Sequence, residues 1–215
     1  MNNDQSKKRG ILQRQHWIFD LDGTLTLAVH DFVAIRKSLG IPDGEDILKH
    51  ILNQDTSTAS RMMQQLNEIE IELAEQSQPA VGVDPLIRLL SGRGARLGII
   101  TRNTKENAKR SLEKIGILEH FGDETILGRH EAPPKPDPKG ISHLITLWNT
   151  SAEQTVMVGD YRFDLQAGRA AGTATIHVDS DLTRCWKDLT DIRLNTMEQL
   201  VSLLSDIDVI AQFEN

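Results

Sequence analysis

Cysteine is almost missing from this chain of 215 residues: Cys185 stands alone, which excludes an intrachain disulfide and any zinc site built on several thiolates. That usage fits a reducing compartment, and a cytoplasmic location is expected. Long apolar runs are missing too. No stretch of eighteen apolar residues occurs, so no spanning helix and no membrane partner are expected. Basic charge is in deficit, with 24 Lys and Arg against 31 Asp and Glu and a formal net charge of -7, which argues against a general nucleic-acid binder. Small anionic substrates stay open, because a bound metal and a few local cations reverse the potential inside a cleft. Internal repeats and low-complexity tracts are absent. Residues 1–15 are polar without an apolar centre, so they read as a flexible tail and not as a secretory signal.

What is present is a set of short apolar runs with helical stretches between them. Strands are expected at 17–20, 96–101, 124–127, 155–160 and 174–178, and most are too continuously apolar for a half-exposed antiparallel strand. Helices are expected at 84–92, 104–115, 140–148 and 163–171, with a last one near 196–204. Gly116, Gly122 and Gly172 stand where helix ends or following turns belong. The alternation predicts an α/β fold: a doubly wound, three-layer parallel sheet.

One stretch breaks the alternation. From residue 26 to residue 79 the apolar positions recur every three or four residues: Phe32, Ile35, Leu39; Ile47, Leu48, Ile51, Leu52; Met62, Met63, Leu66, Ile69, Leu73. Pro42-Asp43 and Asp55-Thr56-Ser57 punctuate these stripes as turns or caps. The predicted organisation is therefore a tail at 1–15, a core at 16–25 and 80–215, and an all-helical cap at 26–79, inserted after the first strand. Arg61, Gln65 and Glu68 share a helical face that could look onto the sheet's rim, although solvated charges read the same way.

Chemistry-bearing residues follow the strands. Asp20-Leu21-Asp22-Gly23-Thr24 places two carboxylates, a turn-permitting glycine and a hydroxyl directly after Trp17-Ile18-Phe19. A calcium loop of the EF-hand type is excluded, since Leu25 occupies the position where that loop needs glycine. Thr101-Arg102-Asn103 ends another strand, where a hydroxyl and backbone N–H groups suit phosphate oxygens, though a plain helix N-cap looks alike. Pro133-Pro134-Lys135-Pro136-Asp137-Pro138 presents one lysine on a stiffened backbone. Gly159-Asp160 follows a fourth strand, with Asp164 four residues beyond Asp160. That pair suits a magnesium ligand and a supporting carboxylate, while Asp164 alone could simply stabilise a helix's first turn.

Taken in order, these four motifs resemble those of haloacid-dehalogenase-superfamily phosphatases with a small helical cap, similar to phosphoglycolate phosphatases. The resemblance implies that Asp20 is the nucleophile and forms an aspartyl-phosphate. It implies Mg²⁺ held by Asp20, the backbone carbonyl of Asp22, and Asp160. Asp22 would serve as general acid and base. Leu21 and Asp22 (through backbone amides), Thr101, Arg102, Asn103 and Lys135 would hold the phosphoryl group, with Thr24 and Asp164 in support. The implied partner is a small phosphorylated metabolite. After the first motif this chain runs Thr26-Leu27-Ala28-Val29-His30-Asp31-Phe32, where phosphoglycolate phosphatases often have Asp-Ser or Asp-Thr, so the substrate stays open. His30 and Arg102 are further candidates for substrate contact. The alternatives are a phosphomutase using the same nucleophile and, in another class, a silent binding protein on the same fold.

Overall fold

A computed structural model of the chain describes residues 3–181 and 183–213; residues 1, 2, 182, 214 and 215 of the expected tail and core lie outside them. Its centre is a six-stranded sheet in which every pairing is parallel: β1 (His16–Phe19), β2 (Arg96–Ile100), β3 (Ile126–Leu127), β4 (Thr155–Gly159), β5 (Ala174–Val178) and β6 (Ile192–Leu194). The strand order is β3-β2-β1-β4-β5-β6. The order reverses between β1 and β4, and the crevice outside the C-terminal strand ends at such a point is where open α/β sheets bind ligands.

Side-chain alternation explains why helices cover both faces. On β1, Trp17 and Phe19 enter one core cluster while Ile18 enters the other. β4 does the same, with Val156 and Val158 on one side and Met157 on the other. The first cluster is closed by α5 (Val83–Gly92), α6 (Lys105–Lys114) and α9 (Met197–Phe213), through residues such as Leu86, Leu112 and Leu200. The second is closed by α7 (Lys139–Leu147) and α8 (Arg162–Ala170), through Ile141, Leu144 and Ala167. Trp17, Ile18 and Phe19 are wholly buried. Burial of each such side chain favours folding by roughly 1.5–3 kcal/mol.

Three helices lie between β1 and α5: α2 (Phe32–Leu39), α3 (Ile47–Leu52) and α4 (Thr56–Glu75). They share a cluster of their own around Ile35, Leu39, Leu48, Ile51, Met62 and Leu66. Asp31, Asp46 and Asp55 cap them, each accepting hydrogen bonds from first-turn N–H groups. Phe32 and Leu52, expected in the apolar stripes, are exposed instead. Where the chain leaves and re-enters the core, two segments run side by side: Leu27 N–H donates to Gln78 O at 2.9 Å, and Ala80 N–H to Leu25 O at 3.0 Å.

Two expectations need correcting. Within the segment expected to be a flexible tail, residues Asn3–Leu12 form helix α1, and Ile11 and Leu12 are buried in the first core cluster. Two apolar residues at its end anchor an otherwise polar helix, helped by Lys7 Nζ on Asp191 at 2.9 Å and Arg14 donating to Thr155 O at 2.7 Å. Residues 124–127 supply only two strand residues, since Asp123–Thr125 turns as a 3-10 helix. The edge strand β6 was not foreseen; three residues are too few for a periodic signal. Among the described residues no helix is long and apolar enough to cross a membrane.

Candidate active site

The motifs converge on the rim beyond β1 and β4, which are neighbours in the sheet. Asp20 leaves β1 with its N–H donating to Val158 O at 2.9 Å, so it stays registered against β4. The carbonyl of buried Leu21 then accepts from the N–H groups of Thr24, Leu25 and Thr26 at 2.9–3.2 Å, folding the motif into a tight turn. Gly23 has φ +93°, and a Cβ there would stand 3.0 Å from an Asp160 carboxylate oxygen. The turn thus needs glycine both for its backbone and for the space Asp160 takes. Thr24 Oγ1 lies 3.2 Å from Asp20 Oδ2 and 3.1 Å from Asp160 Oδ1, tying the two strand ends together.

Lys135 is wholly buried despite its charge. Its Nζ donates to Asp20 Oδ1 and lies 2.7 Å from Asp164 Oδ1. Burial alone would lower the ammonium's pKa, but Asp164 and Asp20 outweigh it and hold it above the ordinary lysine value. Lys135 is therefore charged. Asp164 is the third residue of α8, and its Oδ2 accepts the Tyr161 N–H at 2.9 Å. Gly159 makes room for it: a Cβ there would stand 2.3 Å from Asp164 Cβ.

The carboxylates are far from balanced. Oxygens of Asp20, Asp160 and Asp164 all lie within 4.8 Å of one another. Burial pushes Asp160 up to about 8, with Asp20 and Asp164 adding to the rise. Burial likewise lifts Asp164 to about 6, against the pull of Lys135. Burial also raises Asp22, opposed by His30 and reinforced by Asp20. One ammonium facing this many acids leaves negative charge that a hard cation would neutralise, and an all-oxygen donor set suits Mg²⁺. The residues present fit that ion. Asp22's side chain stands apart from the three clustered acids and faces His30 Nε2 at 4.0 Å.

Beyond β2, Thr101 is buried and its Oγ1 accepts the Asn103 N–H at 3.0 Å. Asn103 Oδ1 accepts from Thr104 N–H at 2.8 Å and Asn107 Nδ2 at 3.1 Å, while Thr104 is the actual N-cap of α6. Arg102 is already engaged: it donates to both oxygens of Asp46, at 2.7 and 2.6 Å, and to Lys135 O at 3.0 Å. Arg129 makes a second two-pronged contact, with Glu70 of α4 at 2.8 and 2.7 Å. Neither Asp46, Glu70 nor Arg129 was foreseen, because no local pattern marks a pair 56 or 59 residues apart. Arg61, Gln65 and Glu68, offered as a face over the rim, do not meet it in these contacts: Arg61 is exposed, Gln65 donates to Ser38 O within the insert, and Glu68 accepts from Gln64. His177 was also missed; it is wholly buried, with Nε2 3.0 Å from the Asp160 carbonyl.

Known proteins resemble this chain in sequence and in fold. The chain is 26% identical over 200 residues to an uncharacterised hydrolase of Saccharomyces cerevisiae, covering 89% of this chain and 91% of that one. It is 28% identical over 216 residues to a phosphoglycolate phosphatase of Chromobacterium violaceum, covering 87% and 95%. Among solved structures, a hydrolase from Pseudomonas syringae superposes with a TM-score of 0.75 at 20% identity, covering 90% and 99%, which speaks for the fold alone. The sequence profile of haloacid dehalogenase-like hydrolases matches residues 17–178, a span that holds the helical insert, the rim motifs and the sheet as far as β5, and the chain belongs to the haloacid dehalogenase-like hydrolase family.

Proposed function

We propose that this chain hydrolyses a small phosphate monoester through an aspartyl-phosphate. The observation that carries the reading is Lys135, a fully buried ammonium held between Asp20 and Asp164 with Asp160 alongside. A buried lysine among several acids is costly to maintain, and such arrangements concentrate where chemistry is done. Asp20 attacks phosphorus, and the alcohol leaves from the opposite side. Asp22 gives the departing oxygen its proton and then takes one from the water that cleaves the acyl phosphate; a carboxyl whose pKa is raised by burial suits both halves of that exchange. Lys135 and Thr101 bear on the phosphoryl oxygens as their charge redistributes. Mg²⁺ held by Asp20, Asp160 and the Asp22 carbonyl would supply positive charge, letting a carboxylate approach a phosphate dianion. Residues 26–79 act as the cap over this rim.

The test compares wild type with Asp20→Asn on a panel of sugar phosphates, nucleotides and small esters with Mg²⁺. Wild type releases inorganic phosphate, and the variant falls to background on every member. Isomerisation of a sugar phosphate without phosphate release would replace hydrolysis by phosphomutase chemistry. Equal, negligible turnover in both proteins would favour a silent binding protein.

A further inference from the structure

Aromatic side chains gather at the mouth of this site in a chain that has few of them: five Phe, three Trp and one Tyr. Trp17, Phe19, Phe121 and Trp148 are spent in the core. Phe32, Tyr161, Phe163 and Trp186 are not. Tyr161 directly follows Asp160 and is 43% exposed, and its ring meets Phe163 edge-on at 5.1 Å and Trp186 at 5.6 Å. Trp186 lies 5.1 Å from the His177 ring, which holds the Asp160 carbonyl. From the insert side, Phe32 is 53% exposed and stacks at 5.6 Å on His30, the imidazole facing Asp22. Single exposed rings are ordinary, but rings from two separate elements, one group beside Asp160 and the other beside Asp22, place apolar surface next to the site's acids.

Charge at the same mouth narrows the ligand further. Arg102 is bound two-pronged by Asp46, Arg129 by Glu70, and Lys135 lies between Asp20 and Asp164. Arg184 lies 3.4 Å from Asp179 and 3.3 Å from Asp181. These cations already face carboxylates. Apart from Arg162, exposed beside Tyr161 with its guanidinium 5.9 Å from the Phe163 ring centre, a second anionic group on the substrate would have to displace one of those acids. A flat uncharged ring asks for no such exchange, and Tyr161 and Phe32 offer it faces to stack on.

Building on the hydrolase reading, we infer that the substrate is a phosphate monoester whose alcohol carries a flat, uncharged aromatic ring, as a nucleoside does. The experiment measures kcat/KM for phosphate release with Mg²⁺ on matched alkyl esters: a nucleoside 5′-monophosphate against ribose 5-phosphate, and benzyl phosphate against phosphoglycolate. All four lose an alcohol of similar kind, so differences report recognition. The ring-bearing member of each pair should lead by at least tenfold. Tyr161→Ala should shrink that lead about tenfold, the ~1.4 kcal/mol of one good stacking contact, and Tyr161→Phe should restore it. A lead only for the nucleotide identifies a nucleoside ester; a lead for both identifies ring recognition in general. Equal rates within pairs, or preference for phosphoglycolate or ribose 5-phosphate, would overturn the inference while leaving hydrolysis standing. No phosphate from any ester would remove both.

Discussion

Asp20 and Asp22 are two residues apart and have different neighbours, which is how one short motif comes to hold two kinds of carboxyl. Asp20 takes the Lys135 ammonium and the Thr24 hydroxyl. Asp22 is pushed up by burial, against the pull of the His30 imidazole at 4.0 Å and of Asn103. Asp22→Asn therefore separates the two half-reactions. With p-nitrophenyl phosphate, whose leaving group departs without a proton, the first step proceeds and the second stalls for want of a base. Turnover should fall about 10²–10⁴-fold, and intact-mass measurement should show the phosphorylated protein accumulating. Wild-type turnover by the variant would remove Asp22 from acid–base chemistry. These residues were legible because each motif is local: an acid pair, a lysine among prolines, and Gly-Asp with a second acid one helical turn on. Arg102 shows the limit. Its position after β2 suggested phosphate, but the insert supplies Asp46 to occupy it, a partner that only the folded chain brings near.

Helices and strands were legible to the extent that their apolar periodicity was long enough to register. Strands β1 to β5, the five core helices and the helical character of the insert follow from runs and stripes, whereas β6 and the polar α1 depend on tertiary anchoring. How the insert meets the core was not legible. Guanidinium–carboxylate contacts join them, Arg102 with Asp46, Arg129 with Glu70 and, more exposed, Arg110 with Glu75. Asp46 is also the N-cap of α3, accepting the Lys49 N–H at 2.9 Å. Burial opposes its charge, but the Lys49 N–H and Arg102 prevail and its pKa lies below the ordinary Asp value. A depressed folded-state pKa adds stability above the unfolded value, near 3.8, that disappears as pH falls through the folded one. Asp46→Asn should therefore lower Tm at pH 7, and the difference from wild type should shrink as pH drops below about 4. Thermal unfolding of both proteins across that range checks it. A gap that stays constant to pH 3 would mean that the Asp46 charge contributes nothing to holding the insert down.

At the scale of the whole molecule, the sheet brings acids from β1 and β4 together at a point where their mutual repulsion works against folding. Asp160, pushed up to about 8 by burial, Asp20 and Asp164, carries much of that cost. A cation bound only by the folded chain would offset it and stabilise by the usual linkage, about 2.7 kcal/mol at a hundredfold excess over Kd. For a chain of this size that corresponds to roughly 5–11 °C in Tm. The metal-free protein, stripped with a chelator, should thus gain several degrees on adding Mg²⁺. Asp160→Asn distinguishes a metal site from a general salt effect, because it acts in opposite directions on the two states. Without metal the neutral amide relieves repulsion, so the variant should melt no lower than stripped wild type. With Mg²⁺ the shift should vanish, because the oxygen that completes the cluster no longer carries charge. A variant that keeps the full Mg²⁺ shift would place the ion elsewhere, and one that melts well below stripped wild type would show that Asp160 stabilises the fold by itself.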